Sequence, residues 1–406
     1  MKYYLKMAWR NIWRNKRRTI ITAASIFFAI FFALVMRAFQ LGSYGNMVDN
    51  VVQAYTGHIQ VFDKEYQEDK TIDHSILFEN ELLSEIEETE NIVMAVPRLE
   101  SFALASSGNQ TKGAMIVGTI PDKDDQLTKL KNKLVRGSFL SQGERGLMVS
   151  ERLAKYLKTD IGDTVVLLSQ GYHGIGAADQ YEVKGILRFP SPDLDNKTIF
   201  MDLGHCQEFY SAPNRVSSIS LNVKNDKHLN NTVKVLQKKL GAEYDVRSWE
   251  KILTELVQQI ESDNAGGLIM LGILYLIVGF GVFGTVQMMT AERKREFGVM
   301  VAVGMQKRRL AGILSLEMFF VGLLGIFSGI LLSIPVIYYG HVNPIVLTGE
   351  MAETIMNYGM EPIMPTAWET SFFFSQTAVV LILVFVAVFF PIWGVTKLKV
   401  NKALRA

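Results

Sequence analysis

The chain has 406 residues, a formal net charge of +2 and 20% charged residues. This balance excludes a chain-wide polycation of the kind that binds nucleic acid by displacing counterions, and the length allows two or three domains. Hydrophobic residues make up 49% of the chain, and they are concentrated in four runs. The composition therefore favours a membrane protein without a nucleic-acid partner.

Four apolar runs are long enough to cross a membrane. Each has roughly 20 or more residues, about what a helix needs to span a hydrocarbon core of about 30 Å. A buried helix of a soluble protein rarely runs so far without a polar face. The first run follows a basic segment, but its length favours an uncleaved anchor over a signal peptide. The predicted transmembrane spans are 19–41, 267–289, 310–338 and 372–394.

Basic residues are sorted along the chain. Three segments together hold seventeen Lys and Arg and two acidic residues, namely 1–18, 290–309 and 395–406. The segment 42–266 has 24 Lys and Arg against 33 Asp and Glu, and 339–371 has four Glu and no basic residue. The positive-inside rule places the three basic segments in the cytoplasm and the two acidic ones outside. We expect a multi-pass protein of the cytoplasmic (inner) membrane with both termini inside.

The outer segment 42–266 predicts an α+β domain, because short β-branched and aromatic runs alternate with helical spacing. A strand-rich portion, 134–212, predicts an inserted subdomain. The strands are predicted at 57–62, 92–99, 114–120, 164–168, 181–187, 198–201 and 217–223. The helices are predicted at 78–88, 150–157 and 229–240.

The outer segment lacks the patterns of catalytic and metal sites. Its histidines show no HxxH or HxxxH spacing, which argues against a metal site. The chain contains no GxSxG, no Walker-type GxxxxGK[ST] and no GxGxxG that opens a helix after a strand. The single cysteine, Cys206, excludes an intramolecular disulfide and is typical of a small buried hydrophobic residue. We interpret the domain as a binding or force-transmitting body.

Two polar residues lie within the predicted spans. Glu317 falls about two turns into the third span, where an unpaired carboxylate is costly. It either makes a contact with another helix or subunit that moves during a cycle, or it is a protonated or snorkelling side chain near the inner interface. Arg37 lies near the outer end of the first span, where its long side chain can reach the lipid headgroups.

Glycines predict where helices touch in the membrane. Small residues let helices approach closely in lipid, where association depends on packing. Because four helices bury little of one another, we expect a second copy of this chain or a related chain as a partner. Besides Glu317, the predicted packing positions are Gly279, Gly284, Gly322, Gly325 and Gly329.

The segment 290–309 has the spacing of a short amphipathic helix. Phe297, Met300, Val301 and Gly304 recur at i, i+3, i+4 and i+7, and Gly304 is placed to end the helix. Such a helix can rest in the lipid headgroups or insert into a groove of a cytoplasmic protein. The spacing alone favours neither.

The same segment resembles a family signature. ERKREFGVMVAVG, from Glu292, is similar to the pattern E-R-x-R-E-h-G-h-h-x-A-h-G, where h is apolar, of the FtsX-like, MacB-like permeases of ABC transporters. AWRNIWRNKRR, from Ala8, resembles the amphipathic N-terminal helix of that family, and PIWGVTKLKVNKALR, from Pro391, resembles its C-terminal segment. GLMVSERLAKYLKTDIGDTVVL, from Gly146, resembles the MacB-type periplasmic core. The layout is similar to that of the lipoprotein-releasing LolC/LolE permeases.

The resemblance implies an integral membrane α-helical permease with four transmembrane helices and a large α+β extracytoplasmic domain. It implies mechanotransmission, in which a cytoplasmic ABC ATPase subunit binds ATP and Mg²⁺ and moves the short helix, while this chain is not itself an enzyme. Phe297, Met300 and Val301 would dock in the ATPase groove. The implied coupling residues are Glu292, Arg293, Arg295, Glu296, Phe297, Gly298, Met300, Val301, Ala302 and Gly304.

Three functions fit this resemblance. The first is extraction of lipoproteins or another amphiphile from the outer leaflet of the cytoplasmic membrane, with membrane lipids and a lipoprotein or periplasmic carrier as partners. The second is MacB-like efflux of peptides, toxins or drugs. The third is an FtsX-like transducer that regulates a cell-wall hydrolase, although a 225-residue outer segment is larger than we expect for such a regulator.

Overall fold

The computed structural model describes residues 2–14, 16–357 and 361–397. The chain divides into two compact units. The membrane unit contains the described parts of 1–45, 259–346 and 363–406, and the outer unit contains those of 46–258 and 347–362. Lys399, Lys402 and Arg405 of the predicted tail lie outside the described residues.

The helices and strands are numbered in chain order. The α-helices are α1 (Lys2–Arg14), α2 (Lys16–Val51), α3 (Asn80–Glu87), α4 (Pro121–Thr128), α5 (Glu151–Leu157), α6 (Pro192–Asp195), α7 (Leu203–Phe209), α8 (Leu229–Leu240), α9 (Trp249–Ile252), α10 (Thr254–Glu292), α11 (Lys294–Ala302), α12 (Lys307–Val342), α13 (Glu350–Asn357) and α14 (Thr370–Thr396). The strands are β1 (Ile59–Asp63), β2 (Ile76–Leu77), β3 (Ile92–Ser107), β4 (Gln110–Thr119), β5 (Leu134–Gly137), β6 (Leu147–Ser150), β7 (Thr164–Gln170), β8 (Gly176–Leu187), β9 (Thr198–Asp202), β10 (Arg215–Val216), β11 (Ser218–Val223), β12 (Tyr244–Ser248), β13 (Ile345–Val346) and β14 (Ile363–Met364).

Four of the described helices, α2, α10, α12 and α14, are long and apolar enough to cross a membrane. Each contains one predicted span, so the integral membrane α-helical class is confirmed. Their facing side chains form one apolar core. It includes Ile26, Ile30 and Leu34 of α2, Val282 and Val286 of α10, Met318 and Ile326 of α12, and Val380 and Val384 of α14.

Helices α2 and α10 continue beyond the predicted spans. With 36 and 39 residues they are about 54 and 58 Å long at 1.5 Å per residue, well over the thickness of a hydrocarbon core. In the outer unit, the Asn46 and Asn50 side chains donate hydrogen bonds to Glu361 at 3.2 and 2.8 Å. Polar residues thus end the apolar run without ending the helix.

The outer unit is built on one ten-stranded sheet with the order β12-β1-β11-β3-β4-β9-β6-β8-β5. Strand β7 pairs with both β3 and β8. Strands β3, β4, β9, β6, β8 and β7 therefore form a closed ring of hydrogen-bonded neighbours, with parallel pairs only at β4–β9 and β6–β8 among them. The α+β class predicted for this domain is confirmed.

The predicted inserted subdomain, 134–212, supplies β5 to β9 to this sheet. Its strand β9 bonds directly to β4, and β7 bonds to β3, so no break in hydrogen bonding marks its ends. Cys206 lies in the apolar core of the outer unit, and burial raises the pKa of its thiol well above the usual value. Its environment is that of a small buried hydrophobic residue.

A buried ion pair joins the end of α2 to the sheet within the outer unit. Arg98 of β3 and Asp124 of α4 are both fully buried, and the guanidinium donates to the two carboxylate oxygens at 2.8 and 2.9 Å. A third donor of Arg98 reaches the carbonyl oxygen of Tyr55 at 2.5 Å. Tyr55 belongs to the π-helical turn Val52–Thr56 that follows α2 directly. The pair thereby fixes the point where the long helix enters the sheet.

We expect Asp124→Ala to destabilise the outer unit by about 3–5 kcal/mol, because the buried Arg98 guanidinium loses both hydrogen bonds to a carboxylate and keeps only the longer contact to Glu100 at 3.7 Å. Asp122→Ala is the matched control, since Asp122 lies on the same helix with a 62% exposed side chain, and it should change stability little. Thermal unfolding of the full chain in one detergent measures both. Equal midpoints for the two variants would contradict the anchoring role of the pair.

Candidate functional site

Helix α11 is a separate short helix between α10 and α12. The backbone at Arg293 is not α-helical, with φ −90° and ψ 8°, and it separates α10 from α11, which runs to Ala302. Gly304 has a φ of +105°, and its N–H donates to the Val301 carbonyl at 3.1 Å while that of Met305 donates to the Met300 carbonyl at 3.0 Å. This pair of bonds is a Schellman motif, which favours glycine at the position of positive φ. Gly304 therefore ends the helix as its spacing predicts.

The apolar face of α11 packs inside this chain. Phe297 is 1% exposed and lies in a cluster with Leu310, Leu314 and Val395. Met300 and Val301 are half-buried against the same cluster. Within this chain Phe297 is covered by α12 and α14, whereas Met300 and Val301 keep part of their surface exposed, and the docking of this face in an ATPase groove stays a prediction. Periodicity identifies an apolar face but does not identify what it packs against.

A second face of α11 is exposed. Arg295, Val299, Ala302 and Val303 recur at i, i+4, i+7 and i+8 and are all solvent-exposed. Val303 is 84% exposed and Val299 is 48% exposed. An unpaired apolar stripe on a short helix, next to a basic side chain, has the character of a protein-binding surface.

A buried polar cluster lies behind α11. Glu317 of α12 is 2% exposed, and the Arg293 guanidinium donates to its two oxygens at 2.5 and 3.4 Å. The Asn11 amide of α1 donates to the same carboxylate at 2.5 Å. Arg293 also lies over the Phe297 ring, 5.1 Å from its centre. Glu317 is thus an inter-helix contact, which was one of its two predicted roles, and it contacts residues of its own chain.

The acidic residues of the signature pair with the N-terminal helices. Glu296 accepts a hydrogen bond from Arg14 of α1 at 2.7 Å, and Glu292 forms an ion pair with Arg18 of α2. These exposed pairs surround the buried one. Glu296 therefore holds the segment against α1, and Glu292 holds it against α2. Arg293 holds the same segment against α12.

Sequence reasoning missed Asn11, Arg14 and Arg18 as members of this site. They lie near the N-terminus, and Asn11 is 306 positions from Glu317. One available signal was Glu317 itself, because a carboxylate in a span needs a cationic partner, but five Lys and Arg residues lie nearer to it along the sequence than Arg293 does. Nothing local indicates the asparagine.

The predicted packing glycines fall into two groups. A Cβ at Gly325 or Gly329 would lie within 3.0 Å of atoms of Ile26 or Ile30 on α2, and one at Gly322 would meet Val384 of α14 at 3.3 Å. At Gly279 the nearest neighbour, Leu383, is at an ordinary 3.5 Å, and a Cβ at Gly284 would meet no described atom within 4 Å. Among the five predicted glycines, the close helix approach is therefore made by those of α12.

Arg37 joins two helices at the outer end of the membrane unit. Its guanidinium donates to Gln40 of α2 and Asn264 of α10, both at 2.7 Å. The Tyr44 hydroxyl donates to Asp263 at 2.6 Å one turn further along. Arg37 thus bonds to Asn264 of α10. That its side chain also reaches the lipid headgroups stays a prediction.

Two family models match this chain. The MacB-like periplasmic core domain matches residues 19–239, more than half of the chain, and the FtsX-like permease C-terminal model matches residues 268–400. The chain therefore belongs to the FtsX-like permeases with a MacB-like periplasmic core domain. It is an ABC transporter permease of the FtsX, MacB and LolC type.

Two curated relatives are similar over most of the chain. The lipoprotein-releasing system transmembrane protein LolC of Xylella fastidiosa is 22% identical over 331 residues, which is 77% of each chain. The macrolide export ATP-binding/permease protein MacB of Aggregatibacter actinomycetemcomitans is 21% identical over 341 residues, which is 81% of this chain and 52% of that protein. Relatives of this kind imply an ABC ATPase as a partner.

Two solved structures are similar to parts of the chain. The extracellular domain of the ABC-type transporter YknZ from Gram-positive bacteria has a TM-score of 0.34 and 15% identity, over 47% of this chain and 100% of that one. The periplasmic region of MacB from Actinobacillus actinomycetemcomitans has a TM-score of 0.36 and 14% identity, over 53% of this chain and 95% of that one.

Replacing Glu317 by Ala should lower the unfolding free energy by about 3–5 kcal/mol, because the buried Arg293 then keeps only the longer contact to Glu296 at 3.4 Å. The double variant R293M/E317M removes both charges of the buried pair and should recover most of that loss. Glu296→Ala removes the exposed pair with Arg14 together with that longer contact to Arg293, and it should cost about 1 kcal/mol. Thermal unfolding of the full chain in one detergent gives the order of the three variants. A single Glu317 variant as stable as the double variant would refute the pairing.

Proposed function

We propose that this chain is a permease subunit that works by mechanotransmission and releases lipoproteins, or another amphiphile, from the outer leaflet of the cytoplasmic membrane. The observation that carries the proposal is the fixation of α11. Its flanking residues bind α1, α2 and α12 through Arg14–Glu296, Arg18–Glu292 and Arg293–Glu317. A partner that moves α11 would move these three helices together.

The proposed orientation rests on charge. The segments 1–18 and 290–309 carry thirteen basic residues and two acidic ones, while 42–266 is acidic overall. The positive-inside rule then favours cytoplasmic termini and an extracytoplasmic outer unit in the inner membrane. This orientation puts α11 on the side where ATP is available.

The proposed ATPase-binding surface is the exposed face of α11, with Val299 and Val303 at its centre and Arg295 beside them. Exposed apolar side chains flanked by a basic residue suit a groove-binding helix. ATP and Mg²⁺ would bind to the partner subunit, and this chain would contribute no catalytic residue.

A second permease, either another copy or a paralogue, is proposed as a partner within the membrane. Among the four described spans, α10 is the least buried, since only 17% of its most apolar 18-residue stretch is covered by the rest of the chain. Its outward side chains include Ile269, Ile273, Phe280 and Met288, which leaves a wide apolar surface for another helix or for lipid. Packing between helices in lipid relies on such surfaces.

The proposed cargo is inferred from what the names of the relatives say they release or export. The LolC relative is a lipoprotein-releasing protein by name and matches over 77% of its own length, whereas the MacB relative, a macrolide exporter by name, matches over 52%. Lipoprotein release is therefore our first candidate, and a lipoprotein or periplasmic carrier would be its partner. Efflux of peptides, toxins or drugs is the second, and FtsX-like regulation of a cell-wall hydrolase is the third.

Depletion of the chain in its own cell tests the cargo. We expect lipoproteins to accumulate in the inner membrane, measured by membrane fractionation. Normal lipoprotein sorting combined with drug hypersensitivity would replace this proposal with efflux, and a division or cell-wall defect alone would replace it with regulation.

We expect V299D/V303D to weaken binding of the partner ABC ATPase by about 30-fold or more, because two central contacts of the proposed interface are charged at once. Val235→Asp is the matched control, since Val235 is an exposed valine of the outer unit, and it should leave binding unchanged. Copurification and stimulated ATP hydrolysis give the readout. Phe297→Asp should instead reduce the yield of folded chain, because it places a carboxylate in an apolar cluster. Normal ATPase binding by V299D/V303D would refute the assignment of this face.

A further inference from the structure

The N-terminal helix α1 has an apolar stripe that is about half exposed among the described residues. Leu5, Trp9 and Trp13 recur every four residues and are 39%, 45% and 52% exposed. Side chains at this spacing lie on one side of a helix. The stripe is therefore a continuous apolar surface of about two turns.

The opposite side of α1 packs against the chain. Ala8 and Ile12 are buried, and Asn11 and Arg14 bind Glu317 and Glu296. Helix α1 thus has an inward face that belongs to the cluster behind α11 and an outward face that is open.

The two faces of α1 also differ in whether their basic residues have an acidic partner. Lys6 and Arg10 lie next to the apolar stripe, are exposed, and form no ion pair with any residue from 2 to 14, 16 to 357 or 361 to 397. Arg14, by contrast, is paired with Glu296. The outward face therefore combines two tryptophans with two uncompensated cations one position further along the helix.

The position of α1 indicates what meets this face. Trp9 contacts the ring of Phe320, with centres 5.8 Å apart, and Phe320 lies on α12 three residues after Glu317 of the buried polar cluster. The buried Thr19 hydroxyl donates to the Ile12 carbonyl at 2.9 Å, which holds the end of α1 against the first turn of α2. Just beyond it, Ile20 and Ile21 of that span are 62% and 51% exposed. The stripe of α1 is therefore continuous with the apolar surface of two spans.

We propose that the outward face of α1 is a binding surface for anionic phospholipid. Trp9 and Trp13 lie at the boundary between headgroups and acyl chains, where tryptophan is enriched, and Lys6 and Arg10 bind lipid phosphates. The inference rests on the proposed function for its placement in the cytoplasmic leaflet. Because the inward face of the same helix binds Glu296 and Glu317, the lipid contact also supports the position of α11.

Fluorescence quenching in nanodiscs tests the proposal with the full chain. The discs contain four parts phosphatidylcholine and one part phosphatidylglycerol, and only one of the two lipids is brominated in each preparation. The signal of Trp9 and Trp13 is the difference between the wild-type chain and W9F/W13F. We expect brominated phosphatidylglycerol to quench this signal more per molecule than brominated phosphatidylcholine, with a preference of about fivefold for each basic residue in contact.

The variant K6Q/R10Q should lose the preference while still being quenched by both lipids. The matched control is K294Q/R295Q, which removes two exposed cations from α11 and should retain the preference. Equal quenching by the two lipids in the wild-type chain would overturn the proposal, and so would the absence of quenching, which would mean that protein covers α1. The measurement needs neither ATPase nor cargo, so its failure is distinguishable from failure of the proposed function.

Discussion

The ion pair between Arg293 and Glu317 sets the arrangement of the cytoplasmic side of the membrane unit. A carboxylate two turns into a span is tolerated only with a partner, and Arg293 is available only if the chain breaks after α10 and turns back. That break creates α11 as a separate helix. In this position the Arg293 guanidinium lies over the Phe297 ring, which packs against α12. Glu296 then pairs with Arg14 of α1, and Glu292 pairs with Arg18 of α2. The position of α11 thus follows from where one buried charge finds its partner.

Much of the fold could be predicted from the sequence, because hydropathy and charge report directly on lipid and water. The four spans and the α+β outer domain follow from these patterns. The ends of the helices do not follow from these patterns. Hydropathy indicates where a helix lies in lipid, but α2 continues as a helix beyond the apolar run, through the polar residues Asn46 and Asn50. Strand β6 also escaped prediction, since its four residues are a short apolar run that periodicity alone does not assign to a strand.

The candidate site could be predicted in part. Local spacing indicated a short amphipathic helix ending at Gly304, since a turn with positive φ is encoded by neighbouring residues. What covers the apolar face could not be read, because a buried face and a docking face have the same periodicity. The partners of the two glutamates in ERKRE lie near the N-terminus, 282 positions away in the case of Arg14, and a single sequence carries no signal across that distance.

The junction at Tyr55 bears on how a displacement of α2 would spread through the outer unit. Arg98, which binds the Tyr55 carbonyl, lies on β3, and this strand pairs with β4, β7 and β11. A pull on the helix end would therefore be shared at once among three neighbouring strands, many of whose hydrogen bonds would have to yield together.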